Sequence, residues 1–147
     1  TTDDEILLFG KNSDGKLGTL ANYSQSDAKQ LAYTCEKSLY YVNSSRELVL
    51  AGNDDKVIDS GVLEGTLKSV CFVDTVVYMK ENGLYAVGGA YKKPTMIFEG
   101  YSNTRGKGQV LGKYGSLYFV YDNELYKAKP NGKNKMIKTE VEAVYVR

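Results

Sequence analysis

The sequence predicts an all-β chain made of about four copies of a four-stranded meander, one copy incomplete. Three observations carry that prediction. Short apolar runs rich in Leu, Tyr and Val are punctuated along the chain by Asn, Asp and Gly turn residues. A tyrosine-bearing strand recurs at Leu39-Tyr40-Tyr41-Val42, Val77-Tyr78-Met79 and Leu117-Tyr118-Phe119-Val120, with Tyr40, Tyr78 and Tyr118 spaced 38 and 40 residues apart. In Leu117-Tyr118-Phe119-Val120 and Leu84-Tyr85-Ala86-Val87 both alternating sets of side chains are apolar or aromatic. A strand with one solvated face alternates with polar residues instead.

The clearest copy runs from Ser116 to Lys138. Its first strand ends at the turn Asp122-Asn123, the second is centred on Leu125-Tyr126, and Pro130-Asn131-Gly132 turns the chain into a third at Met136-Ile137. Taken in order, Ile6 to Phe9 is a strand, Asn12 to Gly15 a turn and Leu17 to Ala21 the returning strand. A polar loop at Ser24 to Asp27 precedes a strand at Leu31 to Cys35. The alternative there, a short helix at Ala28 to Ala32 capped by Ser26 or Asp27, has only a weak apolar face. The second copy takes Leu39 to Val42, Leu48 to Leu50, a turn at Gly52 to Asp55, and Val57-Ile58. The third takes Leu67 to Val73, Val76 to Met79, Leu84 to Val87 and, after a turn at Ala90 to Pro94, Thr95 to Phe98. Val110-Leu111 follows a long polar loop and opens the fourth copy. The copies fall at about 5–31, 32–66, 67–106 and 107–138 of one domain spanning 1–147, with a closing strand at 142–147.

A period near 40 built from four short strands is that of a propeller blade. Helical repeat arrays have other periods and patterns, and a two-sheet sandwich would expose one face of each strand. Ala143 to Val146 matches the strand that precedes each Leu-Tyr strand, and Ile6 to Phe9 matches a Leu-Tyr strand, so pairing of the two would close a small ring. Against closure, Leu20 to Tyr40 spans 20 residues where Leu48 to Tyr78 spans 30, so the first copy lacks a strand. The alternative is an open arc whose sheet edges pair between molecules as a homodimer.

Composition sets outer limits. The 147 residues are 42% hydrophobic and 25% charged, which is ordinary for a globular domain rather than a disordered one. Thirteen Tyr and 15 Gly against two Pro suit many short strands and tight turns. The 19 basic and 18 acidic residues nearly cancel, without a long Lys or Arg run, so nucleic acid is not an expected partner. No stretch approaches the roughly 20 apolar residues that span a bilayer, so direct membrane insertion is not expected. The opening Thr1-Thr2-Asp3-Asp4-Glu5 has neither an initiator Met nor a signal-like run, implying processing or excision from a longer chain.

The Leu-Tyr strands resemble the LYWTD-type repeat of low-density-lipoprotein-receptor propellers. Glu124-Leu125-Tyr126-Lys127-Ala128-Lys129-Pro130-Asn131-Gly132 and the following residues to Ile137 are still more similar to a bacterial family of propeller repeats of unknown function. The resemblance covers about residues 36 to 147. It departs where the Asp-Gly turn becomes Asn53-Asp54-Asp55 and again at Ala90 to Pro94. It implies a propeller fold and a cell-envelope, extracytoplasmic setting, and it brings no catalytic residue.

Chemistry is sparse. The absence of His removes Ser–His and Cys–His nucleophile pairs and imidazole metal ligation. Cys35 and Cys71 stand 36 residues apart in apolar strand patterns and read as small buried hydrophobes, with a disulfide the less favoured alternative. Gly83 to Gly89 matches no phosphate loop. Asn12 to Gly15 and Asn53 to Asp55 carry turn chemistry rather than calcium-loop spacing. No cofactor or metal is therefore expected. Tyr40, Tyr78 and Tyr118, recurring at one repeat position, read as core. Tyr91, Tyr101 and Tyr114 fall in predicted loops beside Lys92, Lys93, Arg105 and Lys113. Tyr91, Lys92, Tyr101, Arg105 and Tyr114 are thus the candidate binding surface for a protein or glycan partner. The expected function is a non-enzymatic propeller-like interaction module. The alternatives are a glycan-acting hydrolase or lyase with paired carboxylates and a structural fragment of a longer propeller.

Overall fold

The structure is a computed structural model. It describes residues 5–11, 17–24, 30–33, 38–52, 55–70, 73–141 and 144, the first three segments as backbone only. Among the described residues fourteen strands run in order: β1 (Glu5–Lys11), β2 (Leu17–Ser24), β3 (Gln30–Tyr33), β4 (Leu39–Val42), β5 (Leu48–Leu50), β6 (Lys56–Asp59), β7 (Lys68–Val70), β8 (Thr75–Lys80), β9 (Gly83–Gly88), β10 (Tyr91–Glu99), β11 (Gly106–Lys113), β12 (Ser116–Tyr121), β13 (Glu124–Ala128) and β14 (Asn134–Lys138). No helix occurs among the described residues, so the all-β expectation holds. Strand β3 occupies part of the segment for which a short helix was the alternative.

β1 and β2 form an antiparallel hairpin. The other strands form three four-stranded antiparallel meanders in sequence order: sheet I (β3–β6), sheet II (β7–β10) and sheet III (β11–β14). The turns are tight for identifiable reasons. Asp122 and Asn123 both take positive φ, 51° and 61°, between the paired residues Tyr121 and Glu124. That is the geometry of a type I′ hairpin, whose twist matches the flanking strands.

Sheet II lies between the other two. On β8, Val76 and Tyr78 point into one apolar cluster, while Val77 and Met79 point into another. The ladder carries the division across to β9, where Val87 pairs with Val76 while Ala86 and Leu84 pair with Val77 and Met79. The first cluster adds Tyr40, Val42 and Leu48 of sheet I. The second adds Leu117, Phe119, Tyr121 and Ala128 of sheet III. A strand apolar on both faces is thus a strand packed on both faces. β7 lies beside both β3 and β11, and β6 beside β10.

Three sequence expectations are corrected. Ala90 to Pro94 is not a turn: only Gly89 and Ala90 turn the chain, and β10 begins at Tyr91. Pro94 is tolerated because β10 is an outermost strand whose register slips between Tyr91 and Thr95, where a missing N–H costs little. The polar stretch before Val110 is already strand, since β11 starts at Gly106. Finally, Tyr40, Tyr78 and Tyr118 do not share a position. Lys80–Gly83 and Tyr121–Glu124 bracket equivalent turns, which makes Phe119 the counterpart of Tyr78. Tyr40 and Tyr78 instead face one another across sheets I and II. The turn at Asn12 to Gly15, Asn53-Asp54, Cys35, Cys71 and the closing strand at 142–147, apart from Val144, lie outside the described residues.

Candidate functional site

The five residues expected to form one surface lie at two ends of the sheets. Gly89-Ala90 and Tyr114-Gly115 turn the chain at one end, close enough that a Cβ on Gly115 would lie 3.4 Å from the Ala90 side chain. Tyr91 and Lys92 follow directly. The opposite end carries Tyr101 and Arg105, where the Gly100 amide donates to the Asn82 carbonyl at 2.9 Å and the Asp122 amide to the Arg105 carbonyl at 2.9 Å.

Individually, only some are available to a ligand. Tyr91 is 1% exposed, and its hydroxyl donates to the Ala128 carbonyl at 3.1 Å, tying sheet II to sheet III. Burial pushes that hydroxyl up to about 12. Tyr101 is half-buried, packed against Phe98, Phe119 and Tyr121 with ring centroids 5.9, 6.3 and 5.0 Å away. Arg105 is exposed but engaged: its Nε donates to Asp122 Oδ1 at 2.8 Å, a second N–H donates to Oδ2, and the guanidinium lies 5.2 Å from the Tyr121 ring. Tyr114 stands 94% exposed at a hairpin tip, with Lys113 Nζ 5.5 Å from its ring. Tyr101 thus caps a hydrophobic edge, and Arg105 lies over it exposed and paired with Asp122.

Lys92 belongs to a different constellation, a cleft of about 420 Å³ between sheets I and II. The sheet I wall is Tyr40, Leu50, Lys56, Val57 and Ile58. The facing wall is Val87, Gly88, Gly89, Tyr91 and the run Lys92-Lys93-Pro94. Lys56, Lys92 and Lys93 are exposed, and among the described residues no carboxylate lines the cleft. Gly88 (φ 97°) allows the floor to close: a Cβ there would lie 2.5 Å from the Asp74 carbonyl and 3.0 Å from the Tyr40 hydroxyl. Burial first, and the nearby Asp74 charge second, raise the Tyr40 hydroxyl above its ordinary value, so it stays protonated and able to donate.

Between the same two sheets, away from the cleft, Asp59 forms a clamp. Tyr78 donates to its Oδ2 at 2.7 Å and Lys80 Nζ to its Oδ1 at 3.0 Å. Burial alone would raise Asp59, but the bonds from Tyr78, Lys80 and the Ser60 amide outweigh it and hold the carboxyl below its ordinary value. That carboxylate is occupied by structure. Among the described residues no group of three or more Cys, Asp or Glu is placed to hold a metal ion.

The sequence drew attention to Tyr91, Lys92 and the neighbouring Lys93, but not to Lys56 or Tyr40, as binding residues. The Lys92-Lys93 doublet was visible. Its partner Lys56 sits a whole repeat earlier and becomes a neighbour only once sheets I and II stack. Neither a protein-family model nor a curated protein matches this chain.

Proposed function

We propose that this chain is a propeller-like binding module with no catalytic machinery of its own. Its meander sheets serve as successive blades, and the cleft between sheets I and II is its ligand site. Two-faced burial of sheet II and the side-by-side course of β3, β7 and β11 support the blade reading. So does the resemblance of the Leu-Tyr strands to envelope propeller repeats, which also motivates an extracytoplasmic setting.

The observation that carries the binding reading is the composition of the cleft. Three lysines, with no carboxylate lining the cleft among the described residues, surround an apolar wall and a tyrosine hydroxyl. Clefts of a few hundred Å³ with a few convergent polar groups are the usual form of ligand sites, and one sign of charge in a cleft attracts the opposite sign. The ligand is therefore anionic. Amide chemical-shift mapping with a panel of anionic peptides and oligosaccharides tests this. Perturbations should gather at Lys56 to Ile58 and Gly88 to Lys93. Shifts confined to other surfaces, or turnover of any panel member by the purified chain, would overturn the proposal.

A further inference from the structure

The walls of the cleft also bear on the kind of anion, if the binding reading above is right. Sugars are commonly gripped by an open aromatic face, and the described residues of this cleft present none. Tyr91 is buried with its hydroxyl committed to Ala128, and Tyr40, 5% exposed, contributes little beyond its hydroxyl. The apolar lining is aliphatic, with Val57 51% exposed and Ile58, Leu50 and Pro94 partly so. Both walls are also extended chain at the outer margins of their sheets, β6 on one side and β10 on the other. Lys92 and Lys93 line the β10 wall where its register against β9 shifts, and Lys56 lines the other wall. Positive charge thus comes from both walls, which a segment carrying several carboxylates meets better than one compact anion.

We propose that the cleft takes an acidic peptide segment in extended conformation, with carboxylates at Lys56, Lys92 and Lys93. An aliphatic side chain of the segment lies between them against Val57, Ile58 and Pro94, and the Tyr40 hydroxyl donates to one of its acceptors. An extended segment alternates its side chains, so alternating acidic and β-branched residues satisfy both kinds of wall at once. The lysines are solvated, so their attraction sets salt dependence and partner choice more than raw affinity.

The probe is a fluorescein-labelled peptide of alternating glutamate and valine, read by fluorescence anisotropy against the whole chain. The comparison probes are its glutamine counterpart and a polygalacturonate oligomer of similar charge. Binding of the glutamate peptide should weaken as salt rises, and the glutamine peptide should bind far less. The double substitution Lys92→Glu with Lys93→Glu should reduce affinity on the order of tenfold, since two attractive pairs become repulsive. The double substitution Lys133→Glu with Lys135→Glu, exposed positions just before and within β14, changes net charge equally and should leave affinity within about twofold. Equal loss in both pairs would mean diffuse charge attraction and overturn the proposal. Polygalacturonate bound through Lys92 and Lys93 in preference to the peptide would overturn the peptide assignment and leave the anionic cleft standing. Binding of neither probe would overturn both.

Discussion

Gly112→Ala tests the packing between sheets II and III at a single methyl group. Gly112 lies on β11 with a φ that any residue adopts, so its backbone alone does not demand glycine. Elsewhere such a replacement stabilises by about 0.4–1 kcal/mol through the unfolded chain. Here the new Cβ would overlap one methyl of Val73 and lie 3.0 Å from the other and 3.2 Å from Val70. Val70 is fully buried and both valines are stiff about χ1, so relief requires the strands to part. The overlap with Val73 puts this site in the upper half of the ~1–3 kcal/mol range for overpacking, leaving a net loss of about 1–2.5 kcal/mol after the entropic gain. For a domain of this size that lowers Tm by roughly 2–10 °C. Gly52→Ala is the control, since a Cβ there meets nothing within 4 Å. Urea unfolding of both variants, and of Gly112→Ala combined with Val73→Ala, reads the result. The combined variant should recover stability relative to additivity by about 1 kcal/mol. Equal stability of Gly112→Ala and Gly52→Ala would refute the packing of β11 against Val70 of β7 and Val73 just beyond it.

Two further outcomes follow from the same geometry. Tyr101→Ala should destabilise by about 2–4 kcal/mol through loss of a packed ring, and Tyr114→Ala by no more than about 0.5 kcal/mol because that side chain is solvated; chemical denaturation giving the reverse order would contradict the inward placement of Tyr101. Asp59 is held below its unfolded pKa by its bonds from Tyr78 and Lys80, so its contribution is fully present above that unfolded value, roughly 3.9, and fades as pH falls below it toward the folded value. The stability gap between wild type and Asp59→Asn, measured by urea titration from neutral pH to about pH 3, should therefore narrow on the acid side, and a gap that widens there would contradict the clamp.

The interior strands were legible because burial writes itself into sequence. Thr75-Val76-Val77-Tyr78-Met79 carries apolar side chains at nearly every position, and the structure buries both sets. Asp122-Asn123 likewise announced its hairpin. Outermost strands were harder to place, since one edge and much of one face meet water. β14 is exposed throughout, and Lys92-Lys93-Pro94 in β10 reads locally as a loop. Tyr101, flanked by Ser102 and Asn103, looked solvated; its ring turns inward because Phe98 and Phe119 lie beneath it. The cleft was the least legible feature. Its two walls come from different repeats, and no local pattern in Lys56-Val57-Ile58 points to Lys92.

The stacking of sheets I, II and III underlies both the cores and the cleft, and methyl–methyl NOEs measure it directly. The structure requires cross-peaks joining Val42 or Leu48 to Val76 or Val87 in one core. It also requires cross-peaks joining Val77, Leu84 or Ala86 to Leu117 in the other. Both sets should appear in the isolated chain at dilutions where only monomer is present. Sheets that each show their internal ladders but no methyl contacts to sheet II would contradict the account, because Lys56 and Lys92 would then share no cleft.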